Sequence, residues 1–85
     1  MPKTVFTGHH QDLVQTLIAA RKASGLTQTE LAERLGKDQT FISLVERSQR
    51  RIDVLEFYAY AKALGVNPLE LYAELISRLP EKLPI

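Results

Sequence analysis

The segment from residue 27 to residue 51 constrains the fold of this chain more than any other part of the sequence. Thr27 and Glu30 have the spacing of a capping box, and Gly36 is placed to end the helix that this box would start. Asp38 follows as a polar cap for a further helix. The segment therefore predicts two short helices, at about 28–35 and 39–48, joined by a tight turn.

Polar caps followed by glycine or proline stops recur along the chain and predict three more helices. These helices run from about Gly8 to Ser24 behind Thr7, from 54 to Leu64 behind Asp53, and from Pro68 to Leu79 behind Asn67, where Pro80 closes the last one. No segment alternates apolar and polar residues with period two, so we expect no strands. The expected fold is all-α, a compact five-helix bundle over residues 8–79, with an N-terminal arm at 1–7 and a C-terminal tail at 80–85.

Composition sets the outer limits of function. The 85 residues are 45% hydrophobic and 25% charged, as in an ordinary soluble domain. No apolar run has the ~18 residues that a membrane-spanning helix needs. The sequence contains no cysteine, which excludes disulfides and thiolate-bound metals. The N-terminal residues lack the apolar run of a secretory signal, so a cytoplasmic location is expected.

The net charge of +1 is low for a nucleic-acid-binding protein, but the charge is unevenly distributed. Residues 1–52 carry eight basic and five acidic side chains, a net charge of +3. Residues 53–85 carry three basic and five acidic side chains, a net charge of −2. Such a polarity orients a protein as it approaches a charged surface.

The predicted helix at 39–48 has two different sides on a helical wheel. Ile42 and Val45 lie on an apolar side, and the opposite side is formed by Gln39, Thr40, Ser43, Leu44 and Arg47. A glutamine near a helix N-terminus can form two hydrogen bonds to adenine, and threonine or leucine methyl groups can pack on a thymine methyl. A solvated polar face is the alternative for an isolated helix, but the preceding glycine-turned helix favours a face that enters a DNA groove.

This arrangement resembles the phage-repressor or Xre-type helix-turn-helix family of DNA-binding proteins. The resemblance runs from Leu13 to Tyr72 and is carried by Gly25-Leu26-Thr27-Gln28, Leu31-Ala32, Leu35-Gly36, Ile42-Ser43, Glu46, Arg50, Ala61, Leu64-Gly65-Val66 and Leu71-Tyr72. It implies a lambda-repressor-like domain that binds double-stranded DNA through a recognition helix at 39–48.

The resemblance also implies roles for individual residues. Gln28 matches a glutamine that contacts a phosphate and braces the first residue of the recognition helix, here Gln39. Arg21 and Glu46 match a largely buried ion pair. The residues expected to contact bases are Gln39, Thr40, Ser43 and Leu44, and those expected to contact the DNA backbone are Thr27, Gln28, Lys37, Arg47, Arg50 and Arg51.

Some residues depart from the family pattern and affect the expected structure. Ser48 stands where the family usually has glycine, so the turn after the recognition helix should be either one residue longer or strained. Phe41 lies beside Val45 on the wheel, which favours packing over a base contact. Leu44 lies within the polar side, where a thymine methyl group is its expected partner.

The fifth helix carries more apolar surface than one small core needs. It either caps the bundle or forms a two-fold contact between subunits, and the resemblance favours a homodimer. The residues expected at that contact are Leu71, Leu75, Leu79, Leu83 and, from the arm, Phe6. Two recognition helices would then lie about one DNA turn apart on a palindromic operator.

The sequence accordingly predicts a sequence-specific transcriptional regulator that binds double-stranded DNA as a homodimer, in the cytoplasm and on the nucleoid. The alternative is a protein-interaction module, such as an antitoxin or anti-repressor, that holds a protein partner on the fifth helix. Non-specific DNA packaging fits poorly with a net charge of +1. The sequence has no catalytic constellation or phosphate loop, and His9 and His10 lack the further ligands of a metal site. We therefore expect no enzyme activity, cofactor, small-molecule substrate or membrane partner.

Overall fold

The computed structural model describes residues 8–84, and within that range it contains five α-helices and no strand. The helices are α1 (His10–Ala23), α2 (Gln28–Leu35), α3 (Gln39–Glu46), α4 (Val54–Leu64) and α5 (Pro68–Ile76). The all-α prediction is confirmed, and α2 and α4 have the predicted bounds. None of the helices in this range is long and apolar enough to cross a membrane.

Polar side chains cap the starts of four helices, as the sequence predicts. Thr27 and Asp53 each accept a hydrogen bond from the backbone N–H three residues on, and the glutamate there accepts one from the N–H of the cap residue. Asp38 and Asn67 accept hydrogen bonds of 3.2 and 2.8 Å from N–H groups in the first turns of α3 and α5. Because these bonds satisfy donors that the first helical turn leaves unpaired, the starts of these helices are fixed by local sequence.

The bounds of α1 differ from the prediction at both ends. Gly8 has a φ of 66°, in the left-handed region, so it lies outside the helix that was expected to include it. His9 is the N-cap residue and makes no side-chain capping bond. The expected cap, Thr7, lies outside the described residues. The helix ends one residue before Ser24, which becomes its C-cap.

The C-terminal ends of α3 and α5 also come earlier than predicted. α3 ends at Glu46, because Ser48 adopts a left-handed φ of 57° and closes a Schellman turn, with Gln49 N bonded to Leu44 O at 2.9 Å. The strained turn is thus the one found. α5 ends at Ile76. Ser77 N still bonds Ala73 O, four residues back, but the N–H groups of Arg78 and Leu79 bond carbonyls three residues back.

The core lies where the helices meet and leaves one side of α3 outside it. α2 packs on α3 and α4, and α1 packs on α3 and α5. The fully buried apolar side chains at the centre are Leu17, Leu31, Ile42, Val45, Tyr60 and Ala61. Since α3 contributes its apolar side to this core, its opposite side faces outwards.

Candidate nucleic-acid interface

α3 presents its predicted polar side outwards. Ile42 and Val45 retain 0% and 1% of their exposure, which fixes the rotation of the helix about its axis. On the opposite side Gln39, Thr40 and Arg47 are exposed, and Ser43 and Leu44 are half-buried. A helix anchored on one side with small polar residues on the other can enter the major groove, which is about 12 Å wide.

A buried ion pair joins α1 to the end of α3. Arg21 Nε donates to Glu46 Oε2 at 2.6 Å, and Arg21 Nη2 donates to Glu46 Oε1 at 3.1 Å. Nη1 of the same guanidinium donates to the carbonyl oxygen of Leu26 at 2.9 Å. The side chains of Arg21 and Glu46 keep only 12% and 7% of their exposure. The hydrogen bond to Glu46 raises the pKa of Arg21 above its ordinary value, so the guanidinium stays charged.

Two glutamines connect this ion pair to the first residue of α3. Gln28 Nε2 donates to Glu46 Oε1 at 2.9 Å, and Gln39 Nε2 donates to Gln28 Oε1 at 2.6 Å. We call the four side chains of Arg21, Glu46, Gln28 and Gln39 the glutamine relay. The bond between Gln28 and Glu46 was not predicted, because a sequence gives no distance between the start of one helix and the end of another.

Arg50, expected to contact the DNA backbone, instead makes its contacts with other groups of the protein. Its Nη1 and Nη2 donate to Glu56 Oε1 and Oε2 at 3.1 and 2.8 Å, and Nη1 also donates to Arg51 O at 2.7 Å. Its Cζ lies 4.6 Å from the ring centroid of Phe41, and Lys37 Nζ lies 5.5 Å from the same centroid. The hydrogen bond between Arg50 and Glu56 raises the pKa of Arg50 and lowers that of Glu56. Phe41 packs against the core, which confirms the prediction for that residue.

The other expected backbone contacts lie near the ends of α3. Lys37 is exposed in the turn before α3, Arg47 is its exposed C-cap, and Arg51 is exposed in the loop after it. Arg47 Nε donates to Ser43 O at 3.3 Å, and the four N–H groups on the two Nη atoms of the guanidinium take no part in that bond. Thr27 is exposed, and its hydroxyl oxygen accepts the capping bond from Glu30 N at 3.1 Å. Positive charge therefore flanks the polar side of α3.

The predicted dimer contact is wrong for Leu71 and Leu75. These side chains are 4% and 8% exposed and belong to the monomer core, so they cannot meet a second subunit. Leu79 and Leu83 line a groove beside the start of α1, and Phe6 lies outside the described residues. The wheel gave the width of the apolar side of α5 but not its rotation, because packing decides which part of that side faces the core.

A different set of apolar side chains is exposed on α4 and α5. We call it the α4–α5 apolar face, formed by Val54, Leu55, Tyr58, Leu69, Tyr72 and Ile76, each of them at least 51% exposed. The rings of Phe57 and Tyr72 meet edge to face with centroids 6.2 Å apart, which brings α4 and α5 into contact. The apolar pair at 54–55, in the first turn of a capped helix, is the sequence signal that could have indicated this face.

Two short helices, a glycine turn and an outward polar side on the second helix define a helix-turn-helix domain. The family profile described as Helix-turn-helix matches residues 17–71, which include every member of the glutamine relay. The chain belongs to the Xre-type helix-turn-helix family, whose members are DNA-binding transcriptional regulators.

Individual relatives support this assignment. An uncharacterised HTH-type transcriptional regulator of Sinorhizobium fredii is 43% identical over 51 residues, which span 60% of this chain and 66% of that protein. An XRE-family-like protein from Pseudomonas syringae pv. tomato is 42% identical, with 85% of this chain and 88% of that chain aligned and a TM-score of 0.77. The restriction-modification controller protein C.Esp1396I, solved as a tetramer with its natural 35 base-pair operator, is 25% identical, with 85% and 95% aligned and a TM-score of 0.78.

Proposed function

We propose that this protein is a sequence-specific regulator that binds double-stranded DNA with the polar side of α3. The observation that carries the proposal is the glutamine relay, which holds the exposed side chain of Gln39 at the start of α3. A side chain that is ordered before binding loses less conformational freedom on binding. The function is binding without an enzymatic step, and it requires access to the nucleoid in the cytoplasm.

The side chains of the interface divide into two groups. Gln39, Thr40, Ser43 and Leu44 contact base edges, and the exposed cations Lys37, Arg47 and Arg51 contact phosphates, with Thr27 and Gln28 beside them. Base contacts give specificity, whereas phosphate contacts give affinity that falls as salt rises. Arg50 is not among the proposed phosphate contacts, because its donors are directed to Glu56 and to a backbone carbonyl.

Two substitutions separate these groups in a fluorescence-anisotropy titration at several salt concentrations. Gln39→Ala should lower the ratio of the affinity for the preferred duplex to the affinity for random DNA, since a bidentate base contact contributes about 1–3 kcal/mol of discrimination. Arg47→Ala should weaken binding to all duplexes and reduce the salt slope by about 1. The matched controls, Gln15→Ala on α1 and Arg78→Ala after α5, are exposed and should change neither quantity. Unchanged binding for both test variants would remove α3 from the interface.

The α4–α5 apolar face supports a homodimer as the binding unit. Leu69, Tyr72 and Ile76 lie along one side of α5 and are 80%, 51% and 52% exposed. An exposed apolar surface of this kind marks an interaction site, and a two-fold contact between identical faces closes the assembly. The second copy would also supply a second recognition helix, about one DNA turn away, for a palindromic operator.

Sedimentation equilibrium of the whole chain tests this contact. The wild-type protein should be a dimer, and Leu69→Glu with Ile76→Glu should make it monomeric without unfolding it, because both side chains are exposed and neither belongs to the ring contact between α4 and α5. The control is Glu74→Lys on α5 with Ser77→Glu at its C-cap, two exposed positions outside the apolar face, and it should leave the dimer intact. A wild-type monomer would instead point to a different protein as the occupant of this face.

A further inference from the structure

We infer that the buried ion pair of Arg21 and Glu46 determines which base Gln39 recognises, because it fixes the direction of every hydrogen bond in the glutamine relay. This inference rests on the proposed function, since it concerns how the same face of α3 selects its DNA sequence. Neither charged residue touches DNA in this scheme. They are positioning residues that act through Gln28.

The carboxylate of Glu46 sets the direction of the hydrogen bonds in the relay. An ionised carboxylate has only acceptors, so the group of Gln28 that faces Glu46 Oε1 at 2.9 Å must be its NH₂ group. The amide of Gln28 therefore turns its carbonyl oxygen to the other side. Only the NH₂ group of Gln39 can approach that oxygen, which it does at 2.6 Å. Arg21 keeps the carboxylate in place with two hydrogen bonds of its own.

The relay decides what Gln39 offers to a base. One N–H of its amide is used by Gln28, which leaves the carbonyl oxygen and the second N–H for a ligand. This pair of one acceptor and one donor matches adenine, whose major-groove edge presents the N6 amino group and the N7 acceptor. Guanine presents two acceptors, O6 and N7, so the fixed carbonyl oxygen of Gln39 would face O6 without a proton between them.

An amide that could rotate by half a turn would lose this distinction. With its NH₂ group directed outwards, Gln39 would offer both N–H groups and could donate to N7 and O6 of guanine. Since an amide is nearly symmetric in shape, packing alone does not select one orientation over the other. The acceptor-only partner at the inner end of the relay makes that selection, and the choice of adenine over guanine follows from it.

The test compares duplexes that carry each of the four bases at the position contacted by Gln39, identified as the one whose preference Gln39→Ala abolishes. The wild-type protein should bind the adenine duplex about 10-fold more tightly than the guanine duplex. Arg21→Met with Glu46→Met replaces the ion pair by apolar side chains of similar volume, a change that is often neutral for stability. This variant should bind the two duplexes with affinities within about 3-fold, with an unchanged salt slope because no phosphate contact is altered.

Two further variants make the result decisive. Gln28→Leu cuts the relay one bond further out at a half-buried position and should also lose the preference for adenine over guanine, even if the double methionine variant does not fold. Leu64→Val lowers stability from a core position outside the relay and should keep the preference. If the folded relay variants keep the wild-type ratio, the inference is overturned and the proposed function stands. If the wild-type protein selects no DNA sequence at all, the proposed function itself fails.

Discussion

Two arginine–glutamate pairs flank α3, and they differ in burial and in the contacts that they make. Arg21 and Glu46 keep 12% and 7% of their side-chain exposure, and their bonds continue through Gln28 to the helix start. Arg50 and Glu56 keep 38% and 30%, and their contacts end at Phe41 and at the cap of α4. The same chemistry thus has two different settings, because the buried pair is bonded through Gln28 to Gln39, the proposed base-contacting side chain, whereas the surface pair joins the loop after α3 to the first turn of α4.

The largest expected effect comes from breaking the buried pair on one side only. Arg21→Met leaves the carboxylate of Glu46 buried without its cation, and this should lower the free energy of unfolding by about 3–5 kcal/mol. Arg21→Met with Glu46→Met should restore most of that loss, since no charge remains buried. Urea unfolding measures both values. Equal stabilities for the single and double variants would show that the pair is solvated and that its burial does not matter.

A smaller effect on stability, of opposite sign, is expected at Ser48, which lies between Glu46 and Arg50 in the chain. This residue is buried, has a φ of 57°, and its hydroxyl has no hydrogen-bond partner among residues 8–84. Ser48→Gly should raise the free energy of unfolding by about 1 kcal/mol, because glycine adopts this conformation without a Cβ penalty.

The matched control for Ser48 is Gly36→Ala, at a φ of 69° where an added methyl group meets open space. This change introduces the backbone strain without a clash and should lower stability by about 1 kcal/mol. Thermal unfolding of the two variants compares the effects directly. A loss of stability in Ser48→Gly would mean that the serine side chain makes a favourable contact that outweighs the strain.

The smallest effect is expected at the surface pair. Arg50→Met should cost about 1 kcal/mol or less, because an exposed ion pair and a cation–π contact each contribute little. It should also leave the salt slope of DNA binding unchanged, in contrast to Arg47→Ala, which removes a proposed phosphate contact. Anisotropy titrations in a salt series measure the slope. A slope that falls by about 1 in Arg50→Met would return this arginine to the DNA backbone.

Features set by a few neighbouring residues could be predicted from the sequence, and those set by packing could not. The capping boxes at Thr27 and Asp53 are local, and the helix starts there agree with the prediction. The end of α3 was missed because Ser48 adopts a conformation that its side chain disfavours. The exposed side of α5 and the bonds of Arg50 to Glu56 depend on how the helices pack, which a helical wheel does not show.

The ion pair of Arg21 and Glu46 illustrates the limit of the resemblance. Family likeness implied this pair and the contact of Gln28 with Gln39, and the structure contains both bonds. The two bonds form one relay because Gln28 Nε2 lies 2.9 Å from Glu46 Oε1. Neither the residue spacing in the sequence nor the family resemblance predicts this distance between two helices. The direction of the hydrogen bonds, and hence the expected base, follows only from that connection.

Selection of duplexes from a random pool by the wild-type protein tests the central claim, that the polar side of α3 recognises a DNA sequence. We expect a palindromic motif with half-site centres about 34–36 Å apart along the helix axis and one invariant adenine in each half-site. Repeating the selection with Gln39→Ala should abolish the preference at that adenine alone. A pool that remains random at low salt, where phosphate contacts are strongest, would contradict the account.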